Sequence, residues 1–441
     1  MGSSKGTERF MSAFERRFAD DKGASWLVNL RRSAIAKFGE LGFPTTREED
    51  WKYTNVDPIA KLDFGSPRRS GGGTAAQDLL SLSFADGAPN RLVFADGVYS
   101  AEQSSTAGLP SGVRVQSLAA LLTKEPDLLA PWLGHFAAFS ERSFVALNTA
   151  LMEDGAVVFV PEGCRLEEPI HIVFVSTGAD RPAVLHPRNL IVCAAGSEVK
   201  IIEGYAGLGG DVYFVNPVTE IAAAAGSVVD HYRVQREGER AFHVGAVAAR
   251  LERAATLVSH SITLGGALVR NDVCAILGGE GAECILNGLY LTGDGQHIDN
   301  HTEIDHEQPR ASSRELYKGI LRGRARGVFN GRILVRKAAQ KSDARQVNKN
   351  LLLSKDAAVD SKPQLEIHAD DVKCSHGSTI GQLDRDALFY LRSRGLGAED
   401  ARSLLSYAFA AEILNRVRIA YLRARLEEYL LTQFGRTAVP Q

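Results

Sequence analysis

The chain of 441 residues has five cysteines (Cys164, Cys193, Cys274, Cys284, Cys374) and no Cys-x-x-Cys pair. Scattered thiols build neither a disulfide framework nor a self-contained zinc site, and they fit a reducing cytoplasm. An excess of one charge is also lacking: 51 Lys and Arg face 53 Asp and Glu, a formal net charge of -2. No global basic field exists to draw in nucleic acid or anionic lipid. No apolar run approaches the roughly 18 residues a membrane helix needs. The N-terminus, MGSSKGTERFMSAFERRFADD, is charged where a signal peptide would be apolar. The expectation is a cytoplasmic protein with no membrane or nucleic-acid partner. No G-x-x-x-x-G-K-[ST] occurs, and Gly207-Leu208-Gly209-Gly210 lies between strand-like runs with no helix after it, so it reads as a turn. The chain is expected not to hydrolyse ATP; an ATP-driven function would take its site from another subunit.

The length exceeds what one hydrophobic core usually serves, so more than one unit is expected. Residues 1–150 read as a mostly helical N-terminal domain. Trp26, Leu27, Leu30, Ala34, Ile35, Phe38 and Leu41 recur at three- and four-residue steps until Gly42 and Pro44. PTTREEDWKYTNV follows, and its Trp51 and Tyr53 read as rings packed on this domain's own core, with anchoring of a loop or partner as the alternative. Residues 66–74 read as a Gly-rich linker, and 118–139 as a further helical pattern.

From about Ala156 the period changes. Short apolar runs separated by Gly, Asp, Asn and Ser make residues 151–383 an all-β block. A turn cassette recurs in it, centred on 196, 226, 254, 282, 325 and 357, with steps of 30, 28, 28, 43 and 32. Such recurrence favours a solenoid, here a parallel β-helix, because one coil cannot bury its apolar edge until another stacks on it. A double-sheet β-fold is the alternative. Residues 384–441 read as a C-terminal helical domain. Asp384 is the expected N-cap and Gly395 the expected C′ glycine. A second helix should bury a stripe of Leu404, Leu405, Ala408, Phe409, Ile413 and Leu414, and a third should carry Val417 to Leu430. Arg416, Arg418, Arg423 and Arg425 read first as a solvated face.

Two clusters could carry chemistry. Cys374 and His376 lie two apart after a strand-like segment, so a thiolate and an imidazole could share one ligand. By itself that spacing equally fits a buried thiol and a hydrogen-bonded imidazole. In GDGQHIDNHTEIDHEQP, the residues His297, Asp299, His301, Glu303 and Asp305 share parity, an acceptable transition-metal set. This is the case for a single-chain metal-dependent β-fold enzyme using the His297–His301 strand. A carbohydrate-active β-helix is disfavoured by the shortage of tryptophan in the β-block. The other four cysteines read as structural.

The stretch LEIHADDVKCSHG, followed by FYLRSRG, resembles the C-terminal signature of SufD-type members of the SufB/SufD family. YKGILRGRARGVFNGRILVRKAAQKSDARQVNKNLLLS from Tyr317 to Ser354, and the Trp51–Tyr53 region, extend the resemblance over most of the chain. It implies a mainly β fold, a right-handed parallel β-helix (β-solenoid) core flanked by N-terminal and C-terminal helical domains. It also implies a non-catalytic scaffold for iron–sulfur cluster assembly, pairing with SufB and docking the SufC ATPase on the C-terminal helices. That makes Arg416, Arg418, Arg423 and Arg425 docking candidates. By the same resemblance a transient cluster sits at the SufB–SufD interface, with His376 and Cys374 as its ligands here. A reduced flavin on the assembled complex is a further implied cofactor, of which no residue of this chain gives a sign. A homodimer through exposed solenoid strands is expected where SufB is absent. The sequence departs from the family pattern at His368, where an aromatic residue is common; it reads as a tolerated swap, with an extra ligand as the alternative. CSHGSTIG replaces the Glu- and Thr-rich sequence of SufB-type scaffolds, which argues against a role as primary sulfur acceptor.

Overall fold

A computed structural model describes residues 2–20, 23–65, 84–85, 87–177, 182–207 and 210–435. The expected linker at 66–74 lies outside the described residues, as do Leu208 and Gly209 of the glycine-rich turn. The core is a parallel β-solenoid of about seven turns. Alternate strands fall into two facing sheets. One, of ten strands, runs from Val98–Tyr99 and Asn90–Ala95 through Ile170–Ser176 to Lys373–Gly381. The other, of eleven, runs from Arg114–Ser117 through Ala156–Val160 to Ala358–Ile367. Asn90–Ala95, inside the mostly helical N-terminal stretch, adds in parallel to Ile170–Ser176 and so joins the ten-stranded sheet.

Side chains stack in rows along the coil axis, since each strand pairs in register with the one a turn away. One inward row reads Val199, Val229, Leu257, Cys284, Ser313, Ala344, Cys374. Its members before Cys374 are buried, and the row forms part of the central apolar cluster. The lumen is not wholly apolar. Glu203 is buried, and its carboxylate accepts from the Thr219 hydroxyl at 2.7 Å and pairs with Arg233 at 3.3 Å. Burial would raise its pKa, but Arg233 and His231 hold it down to about 2.

The recurring cassette marks one corner of the coil. Gly196, Gly226, Ala254, Gly281, Arg310 and Lys341 all take positive φ, from 55° to 69°. Each donates its N–H to the next turn, for example Gly196 to Ala225 and Arg310 to Gln340, both at 2.9 Å. The corner therefore continues through 310 and 341. Ala325 and Ala357, expected to extend it, instead precede strands of the eleven-stranded sheet. Their inclusion produced the irregular step of 43 residues. Glycine suits this left-handed backbone, whereas Arg310 and Lys341 adopt it at a cost of about 1 kcal/mol each.

The N-terminal helices pack against the outer face of the eleven-stranded sheet. Ser25–Leu41 buries Leu27, Ala34, Ile35 and Phe38, and Phe38 meets Phe43 edge-on at 5.4 Å. Trp51 packs on Phe144 at 5.3 Å, with the Arg270 guanidinium 3.8 Å over its ring, whereas Tyr53 stays exposed. The helical pattern at 118–139 is broken: Leu118–Lys124 and Pro126–Leu129 form, and turns follow.

On the opposite side, Ala398–Leu414 and Ala420–Gln433 lay Ile413, Leu414, Leu422, Leu426 and Leu430 on Tyr232, Ile262 and Leu289 of the ten-stranded sheet. The buried stripe is rotated from the expected one: Ala401, Ser406 and Ala410 face inward, while Ala408 is exposed and Leu404 and Leu405 only half-buried. Asp384 does cap Arg385–Ser393, accepting from the N–H groups of Asp386 and Ala387. That helix buries no residue and leaves Phe389 75% and Tyr390 56% exposed. Among the described residues no helix is long and apolar enough to cross a membrane.

Candidate functional site at the open end of the solenoid

The last coil has no successor. Among the described residues Ala358–Ile367 pairs only with Arg326–Val335, and Lys373–Gly381 only with Asp343–Leu352, so both are edge strands with one bare side. Cys374 and His376 lie on the second of these, in register with Ala344 and Gln346, which are both buried in the lumen. Parity then points both side chains at the mouth of the solenoid. The opposite lip supports this orientation: Ser361 on Ala358–Ile367 hydrogen-bonds across the lumen to Asn348 and to Ser378, each at 2.8 Å.

The two candidate ligands differ in setting. Cys374 is half-buried against the end of the apolar core, and burial raises its thiol pKa. Its sulfur is a neutral thiol at rest and must lose a proton to bind a metal. His376 is exposed at the rim. Among the described residues no group of three or more His, Cys, Asp or Glu side chains could hold a metal. The mouth thus offers one thiol and one imidazole, short of the four donors typical of an iron–sulfur cluster. Any ion held there needs donors from a second molecule or from the cargo.

His368 stands apart. Its imidazole bonds the Glu366 carboxylate at 2.9 Å, and Glu366 in turn pairs with Arg332 at 2.7 Å. Arg332, Glu366 and Gln364 line the cleft on the outer face of the wall, so Glu366 directs His368 away from the lumen row of Cys374.

The His297 strand, His297–His306, lies on the outer face of the eleven-stranded sheet beneath the N-terminal region. Its candidate ligands His297, Asp299, His301, Glu303 and Asp305 already have partners, His301 lying 3.0 Å from Asp299. The Thr54 hydroxyl donates to Asp299 at 2.6 Å and lies 2.8 Å from His297 Nε2. Arg270 pairs with Asp299 at 3.1 Å, Arg142 with Glu303 at 2.9 Å, and Arg336 with Asp305 at 2.7 Å. Burial would raise the Asp299 pKa, yet His301 and Arg270 hold it well below the usual carboxylate range. Burial also lowers the His297 pKa. Asp299 and Glu303 neutralise arginines that fasten the N-terminal region to the wall, and Asp305 neutralises Arg336 of the solenoid itself, which leaves no vacant donor set for a catalytic metal.

Burial pushes the thiol pKa of Cys193 up to about 12 and of Cys274 up to about 11, and raises Cys284 further. Cys193 and Cys284 are inert core thiols, whereas Cys274, expected in the core, is half-buried and lines the outer cleft beside Arg142. Among the candidate docking arginines, Arg416 donates to Asn287 at 3.0 Å and so helps tether the helices to the solenoid. The Arg418 backbone N–H donates to the Tyr232 hydroxyl at 3.2 Å, while its side chain is exposed. Arg423 approaches Glu427 at 3.9 Å, and on the other side of the same helix Arg425 approaches Glu428 at 3.8 Å.

Sequence reasoning missed two lumen residues beneath His376. Glu315 and Gln346 are both buried, and the Gln346 amide donates to the Glu315 carboxyl at 2.7 Å. A polar residue at every second position of Gln346-Val347-Asn348-Lys349-Asn350 was the available signal, although that pattern ordinarily marks a solvent face.

Two family models cover the chain: "SufBD protein N-terminal region" matches residues 7–172, and "SUF system FeS cluster assembly, SufBD core domain" matches 174–409. An iron–sulfur cluster assembly SufBD family protein of Synechocystis sp. is 36% identical over 92% of this chain and 90% of its own length. The iron–sulfur cluster assembly protein SufD of Escherichia coli is 34% identical over 86% of each chain. The SufD of Bacillus subtilis is 26% identical over 91% of this chain and 92% of its own.

Proposed function

This chain belongs to the SufBD family of iron–sulfur cluster assembly proteins, and we propose that within it the chain is a SufD-type, non-catalytic scaffold. It pairs through its open solenoid end with a SufB-type partner, and the nascent cluster is cargo held where the two ends meet. The observation that carries this reading is the unpaired last coil with Cys374 and His376 turned to its mouth. Bare strand edges invite strand addition, and an incomplete donor set calls for a second molecule.

The division of labour between the residues follows from their settings. Cys374, held as a thiol by burial, releases its proton as iron approaches and supplies a soft thiolate. His376 at the rim supplies a borderline nitrogen that can let go of a cluster destined for transfer. A SufC-type ATPase docks on the C-terminal helices, where Arg418, Arg423, Arg425 and the bare Phe389 and Tyr390 offer contact surface. Nucleotide-driven movement of that subunit would shift the helices against the solenoid and open the interface. Nothing about the His297 strand favours the metalloenzyme alternative, since its carboxylates are spent on arginines.

The test is iron and acid-labile sulfide in anaerobically purified protein, alone and co-produced with SufB-type and SufC-type partners. Iron and sulfide should appear together in the complex only, and fall several-fold in His376→Ala and Cys374→Ala. Iron without sulfide on the lone chain, unchanged by either substitution, would overturn the proposal.

A further inference from the structure

His376 does not cap an apolar row. Directly beneath it in register lies Gln346, and beneath that Glu315. Both are buried, and the Gln346 Nε2 donates to Glu315 Oε2 at 2.7 Å. A side-chain amide that donates down a row of stacked strands offers its oxygen up the row, as in a glutamine ladder. Here that oxygen, Gln346 Oε1, is buried and has no hydrogen-bond partner. An unpaired buried acceptor costs about 1–3 kcal/mol, so a donor that reaches it is favoured. The next residue up the row is His376, whose imidazole carries an N–H.

The opposite wall makes room for this arrangement. Gly331 faces Gln346 across the lumen, and a Cβ there would collide with the Gln346 amide. The glycine is required by close approach, since its backbone lies in an ordinary strand.

We propose that Gln346, pinned by Glu315, is a positioning residue for His376: its side-chain oxygen accepts from one imidazole nitrogen and leaves the lone pair of the other for cargo iron. Fixing the tautomer of a ligand histidine through its second nitrogen orients the ring and raises its basicity. The inference rests on the reading of His376 as a ligand, and its test separates the two.

Selectively 15N-histidine-labelled, metal-free full-length chain is examined by NMR, with the His376 signals assigned by their loss in His376→Ala. Wild type should show one His376 tautomer, and Gln346→Met should show the mixed tautomers of a free imidazole. Glu315→Gln still accepts from the Gln346 amide and should keep the wild-type signature, whereas Glu315→Leu should lose it. If Gln346→Met does not fold, Gly331→Ala, which displaces the same amide, should give the same loss. In the co-produced complex, Gln346→Met should weaken iron retention about 10-fold. Mixed tautomers in wild type, or an unchanged single tautomer in folded Gln346→Met, overturn the positioning role. A tautomer switch beside iron content that His376→Ala leaves intact would keep the positioning and remove the ligand assignment.

Discussion

The hydroxyls of Ser361 and Ser378 meet at 2.8 Å across the lumen, one from each of the last two strands. They brace the two lips of the mouth against each other while the outer edges of both strands stay bare. Ile367 and Ile380, 42% and 48% exposed, sit on these same strands. A charge at either position should block strand addition without unfolding the chain. Ile380→Lys and Ile367→Lys are expected to weaken pairing with a SufB-type partner at least about tenfold, by co-purification and sedimentation, at an unchanged melting temperature. Undiminished pairing in the double variant would place the interface elsewhere.

Glu315 gives the fold a pH signature. Burial raises its carboxyl from the usual 4.5 up to about 7, against the nearby Thr302 hydroxyl and the Gln346 hydrogen bond, which pull it down. The folded chain therefore holds a proton that the unfolded chain releases. The associated stability is fully present below about pH 4.5 and is lost as pH rises through about 7. Glu315→Gln removes this dependence, so between pH 5 and pH 8 its stability should rise relative to wild type by on the order of 2–3 kcal/mol. Denaturant midpoints at the two pH values measure it; parallel shifts in both proteins would mean that Glu315 does not titrate in this window.

Arg270 joins the N-terminal region to the wall. It lies 3.8 Å over Trp51, pairs with buried Asp299 at 3.1 Å and donates to the backbone carbonyl of Asp50 at 2.6 Å. Arg270→Ala would leave the buried Asp299 carboxylate with only Thr54 and His301 among the described residues, and should cost about 3–5 kcal/mol. Trp51→Phe, which keeps a ring beneath the guanidinium, should cost under about 2 kcal/mol. Equal losses in urea unfolding would show that the charge pair is not the main element of this joint.

Cys374 should react slowly for a half-exposed thiol. Burial raises its pKa, so alkylation by iodoacetamide near pH 7 should lag a free thiol and accelerate as pH approaches 10. Cys193 and Cys284, buried in the core, should remain unmodified while the chain is folded. Peptide mass spectrometry reads all three sites; rapid labelling of Cys374 at pH 6 would show a thiolate stabilised by some neighbour.

The solenoid was legible from the turn cassette because Gly196, Gly226 and the small residues after them recur for a backbone reason. The same corner at Arg310 and Lys341 was not, because no side-chain signal distinguishes an arginine held at positive φ. The His297 strand misled for a related cause. Its alternating His and Asp spell a ligand set, but Arg142 and Arg270, which occupy those carboxylates, come from other elements of the fold.

Local pattern alone determined the change from helical to strand period near Ala156, the N-cap at Asp384, and the spacing that turns Cys374 and His376 to one face. These depend on neighbours a few residues away. Tertiary structure decided which face that is, that His376 stands above Gln346 and Glu315, and that the last coil ends bare. Rows in a solenoid join residues about thirty positions apart, and register between turns is set by packing of the whole lumen, which no single segment encodes.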